Sequence, residues 1–176
     1  MKMLLATSLA LTLLNPVAAM ADPAKMLSVK ERIEINAKPE DVWAKVRDYG
    51  DGGAWHPAVK QTEILSGENN KVGAIRLLTL QDGGTIKEEL LAYDPKKMSY
   101  RYVILEGVLP VRDYVATIAV AKAKDGKSVV TWQSHFKRKD PSATPAEGQG
   151  DDDATNLITA IYKQGFENLK KISETK

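Results

Sequence analysis

Residues 153–174 read DATNLITAIYKQGFENLKKISE. Leu157, Ile158, Ile161, Tyr162, Phe166, Leu169 and Ile172 recur there at three- and four-residue spacings, which places them on one face of an α-helix. Asp151, Asp152 and Asp153 crowd the start of this stretch, while Lys170 and Lys171 stand near its end. Both biases match the helix dipole. A long helix with a single apolar stripe needs an apolar surface to lie on. The upstream sequence supplies one.

Upstream the pattern has period two. LSVKERIEINA (residues 27–37) alternates apolar and charged residues through Val29, Ile33 and Ile35 and reads as a strand. KPEDVWAKVRDYG (residues 38–50) then opens with Pro39 at the first helical position and Glu40 and Asp41 in the first turn. Val42, Trp43, Val46 and Tyr49 repeat at helical spacing, and Gly50 is expected to close the helix. DGGAWHPA (residues 51–58) is a turn or a second short helix. Six strands follow: VKQTEILS, AIRLLTL, TIKEELLAY, MSYRYVILE, VRDYVATIAVA and SVVTWQSHF. Their short connections, including QDGG and KAKDGK, are hairpin signals and imply an antiparallel sheet. KRKDPSATPAEGQGDDD (residues 137–153) has almost no apolar residue and reads as an exposed, mobile loop before the helix. The class is therefore α+β. A curved antiparallel sheet of about seven strands wraps around a long C-terminal helix, with two short helices after the first strand.

The first 21 residues stand apart from this pattern. MKMLLATSLALTLLNPVAAMA has a lysine near its start, an apolar stretch from Leu4 to Leu14 and a small-residue site at Ala19-Met20-Ala21. These are the parts of a secretory signal peptide, with cleavage expected after Ala21. Residues 22–176 then form one domain, exported to a bacterial periplasm without a membrane anchor. The chain has no cysteine, so no disulfide holds the domain and no thiol chemistry is available. With 25 basic against 23 acidic residues the charge is nearly balanced, which argues against nucleic acid as a partner.

The order of elements and a set of local motifs together resemble the SRPBCC superfamily, the START and Bet v 1-like helix-grip fold, in its polyketide cyclase/dehydrase type. INAKPEDVWAKVRDYG, AWHPAV, VGAIRLLTLQDGGTIKEELLAYD, SYRY, LPVRDYVATIAV, VTWQSHF and IYKQGFENLK carry the resemblance across residues 22–176. Within the superfamily, the export signal together with WHPAV, LTLQDGGTIKEEL and LPVRDY is similar to the periplasmic MxaD-type accessory proteins of bacterial methanol oxidation. That resemblance implies a non-catalytic accessory role, promoting contact between a quinoprotein methanol dehydrogenase and its cytochrome c. The broader family implies two alternatives: a binder or carrier of a small hydrophobic ligand, and a cyclase or dehydratase.

A helix-grip fold implies a cavity between sheet and terminal helix. Its expected lining is Trp55, Tyr100, Tyr102, Tyr114, Trp132 and Phe136. These aromatics either wall an open pocket or simply fill the core. Arg76 and Glu88 lie on the two arms of the Gln81–Gly84 hairpin. They face each other if the turn centres on Asp82, and Arg76 meets Glu89 instead if the loop has two residues. The pair either orients a polar ligand group or satisfies itself. His56 precedes Pro57 and is expected to hydrogen-bond locally at the cavity mouth, for ligand or partner contact. His135 alternates with Ser134 and Phe136 and is expected to face solvent. Neither histidine has a serine, cysteine or carboxylate at a spacing that makes a catalytic pair. No metal pattern appears, because DDDATN places Asn156 and Tyr162 where a calcium loop needs glycine and glutamate. No cofactor motif appears either.

Overall fold

The chain leaves the first strand at one side of the sheet and begins the second at the other. This single crossing organises everything else. The computed structural model describes residues 24–175, so the expected signal peptide lies outside the described residues. The strands are β1 (Leu27–Ile35), β2 (Val59–Ser66), β3 (Ile75–Leu80), β4 (Thr85–Asp94), β5 (Ser99–Gly107), β6 (Val111–Lys122) and β7 (Ser128–Arg138). They form one seven-stranded antiparallel sheet in the order β1-β7-β6-β5-β4-β3-β2. The helices are α1 (Pro39–Val46) and α2 (Asp151–Glu174), and a 3-10 turn spans Gly52–Ala54. This is the helix-grip fold. Among the described residues no helix is long and apolar enough to cross a membrane.

Each element follows from its local chemistry. Along β7, buried Val130, Trp132, Ser134 and Phe136 alternate with more exposed neighbours, and His135 faces solvent. Pro39 begins α1 with Glu40 and Asp41 in its first turn. The helix ends earlier than expected, at Val46 rather than at Gly50. Asp48 Oδ1 accepts from the Gly50 N–H at 3.0 Å, and the Tyr49 N–H donates to Asn70 Oδ1 at 2.8 Å. Side-chain acceptors thus take the amides that another helical turn would have needed. Tyr49 is still fully buried, held by the sheet rather than by the helix.

The stretch expected to be loop from residue 137 also differs. β7 continues to Arg138, whose side chain is buried. Its guanidinium donates to Asp151 Oδ1 at 2.9 Å and to the Ser142 carbonyl, tying the loop's two ends together. At the start of α2 the Gly150 N–H donates to Asp153 Oδ2 at 3.0 Å, so Asp153 caps the helix. The apolar stripe of α2 is buried at Ile158, Tyr162, Phe166 and Leu169, but Leu157 is exposed.

The core comes in two parts. A large cluster joins α1, α2 and strands β1 and β4–β7. A small one contains Val59, Leu78 and Ile86, and Ile104 and Leu109 pack against both. The space between the two is the cavity described next.

Candidate functional site: the grip cavity

Register decides what the cavity contains. Leu80 and Gly84 close the β3–β4 hairpin around a three-residue loop, with Gly83 at φ +88°, a conformation that favours glycine. The loop therefore centres on Asp82, and Arg76 stands directly opposite Glu88. Strand alternation puts Leu78 and Leu80 on the same face as Arg76, and Ile86 on the same face as Glu88. All of these line one cavity of about 400 Å³.

Its floor is polar and its walls are not. Arg76 Nε and Nη2 both reach Glu88 Oε2, at 2.7 and 2.6 Å, and Nη1 donates to the Tyr49 carbonyl at 2.7 Å. The guanidinium also lies over the Tyr49 ring, 4.0 Å from its centroid. Both partners are buried. Burial pushes the Glu88 carboxyl above its usual value against the pull of Arg76, while Glu88 keeps Arg76 charged despite its desolvation. Tyr100 beside them is pushed up to about 12 by burial, with Arg76 opposing, so its hydroxyl stays protonated at neutral pH.

Tyr102, Tyr114, Trp132 and Tyr162 form the aromatic wall. Trp132 stacks on Tyr162 with ring centroids 4.1 Å apart and donates from Nε1 to the Tyr102 hydroxyl at 3.1 Å. The Tyr114 and Tyr162 hydroxyls bond to each other at 2.5 Å. Burial raises all three tyrosines well above their ordinary value. These aromatics thus pack against the core and face the cavity at once. Phe136, expected in the lining, is absent from it. It is fully buried and stacks on Tyr114 from the core side.

Trp55 and His56 close one side of the site and are themselves buried. The Ala58 N–H can only donate, so His56 Nδ1 accepts from it, at 3.2 Å. Nε2 therefore carries the proton and donates to the Ile161 carbonyl at 3.1 Å. Burial lowers the His56 pKa, and protonating Nδ1 would set two donors against each other. Trp55 is held as well, since Asn168 Nδ2 donates to its carbonyl at 2.8 Å. The expected local hydrogen bond exists, but the Trp-His pair also docks on α2. It does so over Gly165, where a Cβ would stand 2.7 Å from His56 Cδ2 and 3.1 Å from Trp55 Cζ3.

The mouth lies between the β3–β4 turn, the β5–β6 loop and the first turns of α2. Val108 is 55% exposed there and Leu157 40%, and both line the cavity. Sequence reasoning missed these two along with Leu78, Ile86, Ile158 and Ile161. The strand pairs were legible as same-face neighbours of Arg76 and Glu88; Val108 had no such signal. Among the described residues no group of three histidine, cysteine, aspartate or glutamate side chains gathers where it could hold a metal. The cavity's chemistry is that of enclosure around one buried ion pair.

Comparison with known proteins agrees with this architecture. Residues 26–174 match the family described as polyketide cyclase / dehydrase and lipid transport. The solved structure of XoxI from Bacillus cereus is 27% identical, covers 83% of this chain and 94% of its own, and superposes with a TM-score of 0.72. A structure from Bacillus thuringiensis is also 27% identical, with a TM-score of 0.73 over 85% of this chain and 100% of that one. MLP-like protein 423 from Arabidopsis thaliana is 28% identical over 117 residues, 60% of this chain and 73% of that protein. With seven strands gripping α2 around an aromatic cavity, and with a family match over nearly all described residues, the chain belongs to the polyketide cyclase/dehydrase and lipid transport family of the SRPBCC superfamily.

Proposed function

We propose that this protein binds a small, mainly apolar molecule in the grip cavity and does no chemistry on it. The observation that carries the reading is a cavity of about 400 Å³ whose aromatic and aliphatic wall continues to exposed Val108 and Leu157 at its mouth. Trp55, His56, Tyr100, Tyr102, Tyr114 and Trp132 wall the ligand, and Arg76 with Glu88 forms the polar floor. A cyclase or dehydratase reading has less support. His56 has both ring nitrogens engaged by backbone, and Glu88 is ion-paired with Arg76, so neither is placed as an unpartnered acid or base. Native mass spectrometry of protein purified from its own cells should show a bound mass that leaves on denaturation. A neutral fluorophore should also bind saturably and quench Trp55 and Trp132. If there is neither a retained mass nor saturable quenching, the reading is wrong.

A second reading keeps the same fold but uses its outside. In it the protein is an exported, non-catalytic accessory that promotes contact between a quinoprotein methanol dehydrogenase and its cytochrome c. The motif resemblance to the MxaD-type proteins supports it. The charged start, apolar stretch and small-residue site of residues 1–21 support export to the periplasm. Affinity capture from a periplasmic extract should recover the dehydrogenase or the cytochrome. Recovering neither counts against this role and leaves the binder reading standing.

A further inference from the structure

Glu88 has one carboxylate oxygen that the protein does not use. Oε2 takes both hydrogen bonds from Arg76, whereas Oε1 accepts from no described residue, in a side chain only 5% exposed at the cavity floor. Oε1 opens on the cavity rather than being sealed in the core, so a ligand that brings a donor can pair with it there. The charge balance points the same way. Among the described residues Arg76 is the only cation lining the cavity, whose lining also holds two carboxylates, Glu88 beside it and Asp82 in the β3–β4 turn. His56 adds no charge while it stays neutral. An entering carboxylate would therefore meet a site that is already neutral or negative, in a desolvated setting where like charges repel strongly.

We propose that the cavity selects uncharged amphiphiles whose polar end donates a hydrogen bond, alcohols or phenols, over carboxylates of the same carbon skeleton, with Glu88 Oε1 as the acceptor. This rests on the cavity-binding reading above. The protonated Tyr100 hydroxyl on the same wall supplies a donor for the oxygen of such a ligand.

Three probes of equal chain length separate the possibilities: decanol, decyl methyl ether and decanoate. Each displaces a neutral fluorophore from the full chain at pH 7.5. The ether keeps the oxygen but has no donor, so decanol should bind about tenfold more tightly than the ether, the size expected for one hydrogen bond to a charged group. Decanoate should bind more weakly than both. In Glu88→Gln the freed Arg76 should reverse the order and favour decanoate. Should that variant fail to fold, the double variant Arg76→Met/Glu88→Leu replaces the pair by apolar groups of similar size. It should bind decanol and the ether equally. Equal binding of decanol and ether to the natural protein overturns the selectivity but leaves the cavity reading intact. Decanoate binding as tightly as decanol overturns it too. Failure of all three probes and the fluorophore to bind overturns both.

Discussion

Gly165 is where the terminal helix makes room for the Trp-His pair. An alanine there would place its Cβ 2.7 Å from His56 Cδ2. Overpacking of this kind costs about 1–3 kcal/mol, while alanine recovers up to about 1 kcal/mol of helix propensity. Gly165→Ala should therefore lower the Tm, by up to roughly 8 °C, in a calorimetric scan. Its cavity affinity should fall as well, because His56 and Trp55 can only shift toward the ligand. His56 makes a pH prediction. Its folded pKa lies below the ordinary value of 6.5, so the unfolded chain takes the proton first as pH falls. The stability His56 contributes is complete above about pH 6.5 and is lost as pH drops from there toward the folded pKa. The lowered carboxylates Glu34, Asp94, Asp140 and Glu174 release theirs only below about pH 4.5, so the two windows separate. In denaturant melts the natural protein should lose more stability than His56→Gln between pH 7.5 and 5, since the raised Glu88 carboxyl opposes the loss in both alike. Identical pH dependence in the two proteins would contradict the neutral, backbone-locked imidazole. In the sequence, His56 before Pro57 already spoke for a local bond. Its second partner, the Ile161 carbonyl, is 105 residues away and has no sequence signature.

Elements were more legible than residues. All seven strands and the terminal helix stood out because alternation and helical spacing are imposed by one buried face each. Three-residue and two-residue versions of the β3–β4 loop were equally compatible with QDGG, so the partner of Arg76 stayed open until the register was seen. Two boundaries moved for the same reason. Asp48 and Asn70 captured the amides after Val46, and Asp151 captured Arg138, one local and two more distant polar contacts that periodicity does not encode. The Arg138–Asp151 pair joins the end of β7 to the start of α2 and so anchors the turn that precedes the one carrying Leu157. Asp151 is 23% exposed, so the pair is worth less than a fully buried one. Asp151→Asn should cost about 1–2 kcal/mol in urea melts. Fluorophore release should become faster as the first turn of α2 loosens. An unchanged release rate would mean that this turn does not frame the mouth.

At the scale of the molecule, the cavity sits between two packed clusters, and a ligand joins them into one. Binding to the folded chain alone stabilises it by about 2.7 kcal/mol at a hundredfold excess over Kd. For a domain of this size that should raise the Tm by roughly 5–10 °C. A saturating neutral ligand that leaves the Tm unchanged would show no preference for the folded chain, which a cavity site requires. The fold class was readable from sequence because it depends on the order of many weak signals. The cavity was not, since an aromatic face reads the same whether a neighbouring side chain or a ligand covers it. The pairing of β1 with β7 has a further consequence. Leu27 opposite Phe136 joins the first strand to the last across more than half the chain, and α2 follows still later. Contacts this distant in sequence form slowly. While the chain emerges from its N-terminus, β1 waits for β7 and the grip waits for α2. The cavity therefore exists only once α2 has been made, and a ligand reaches it through the mouth beside Val108 and Leu157.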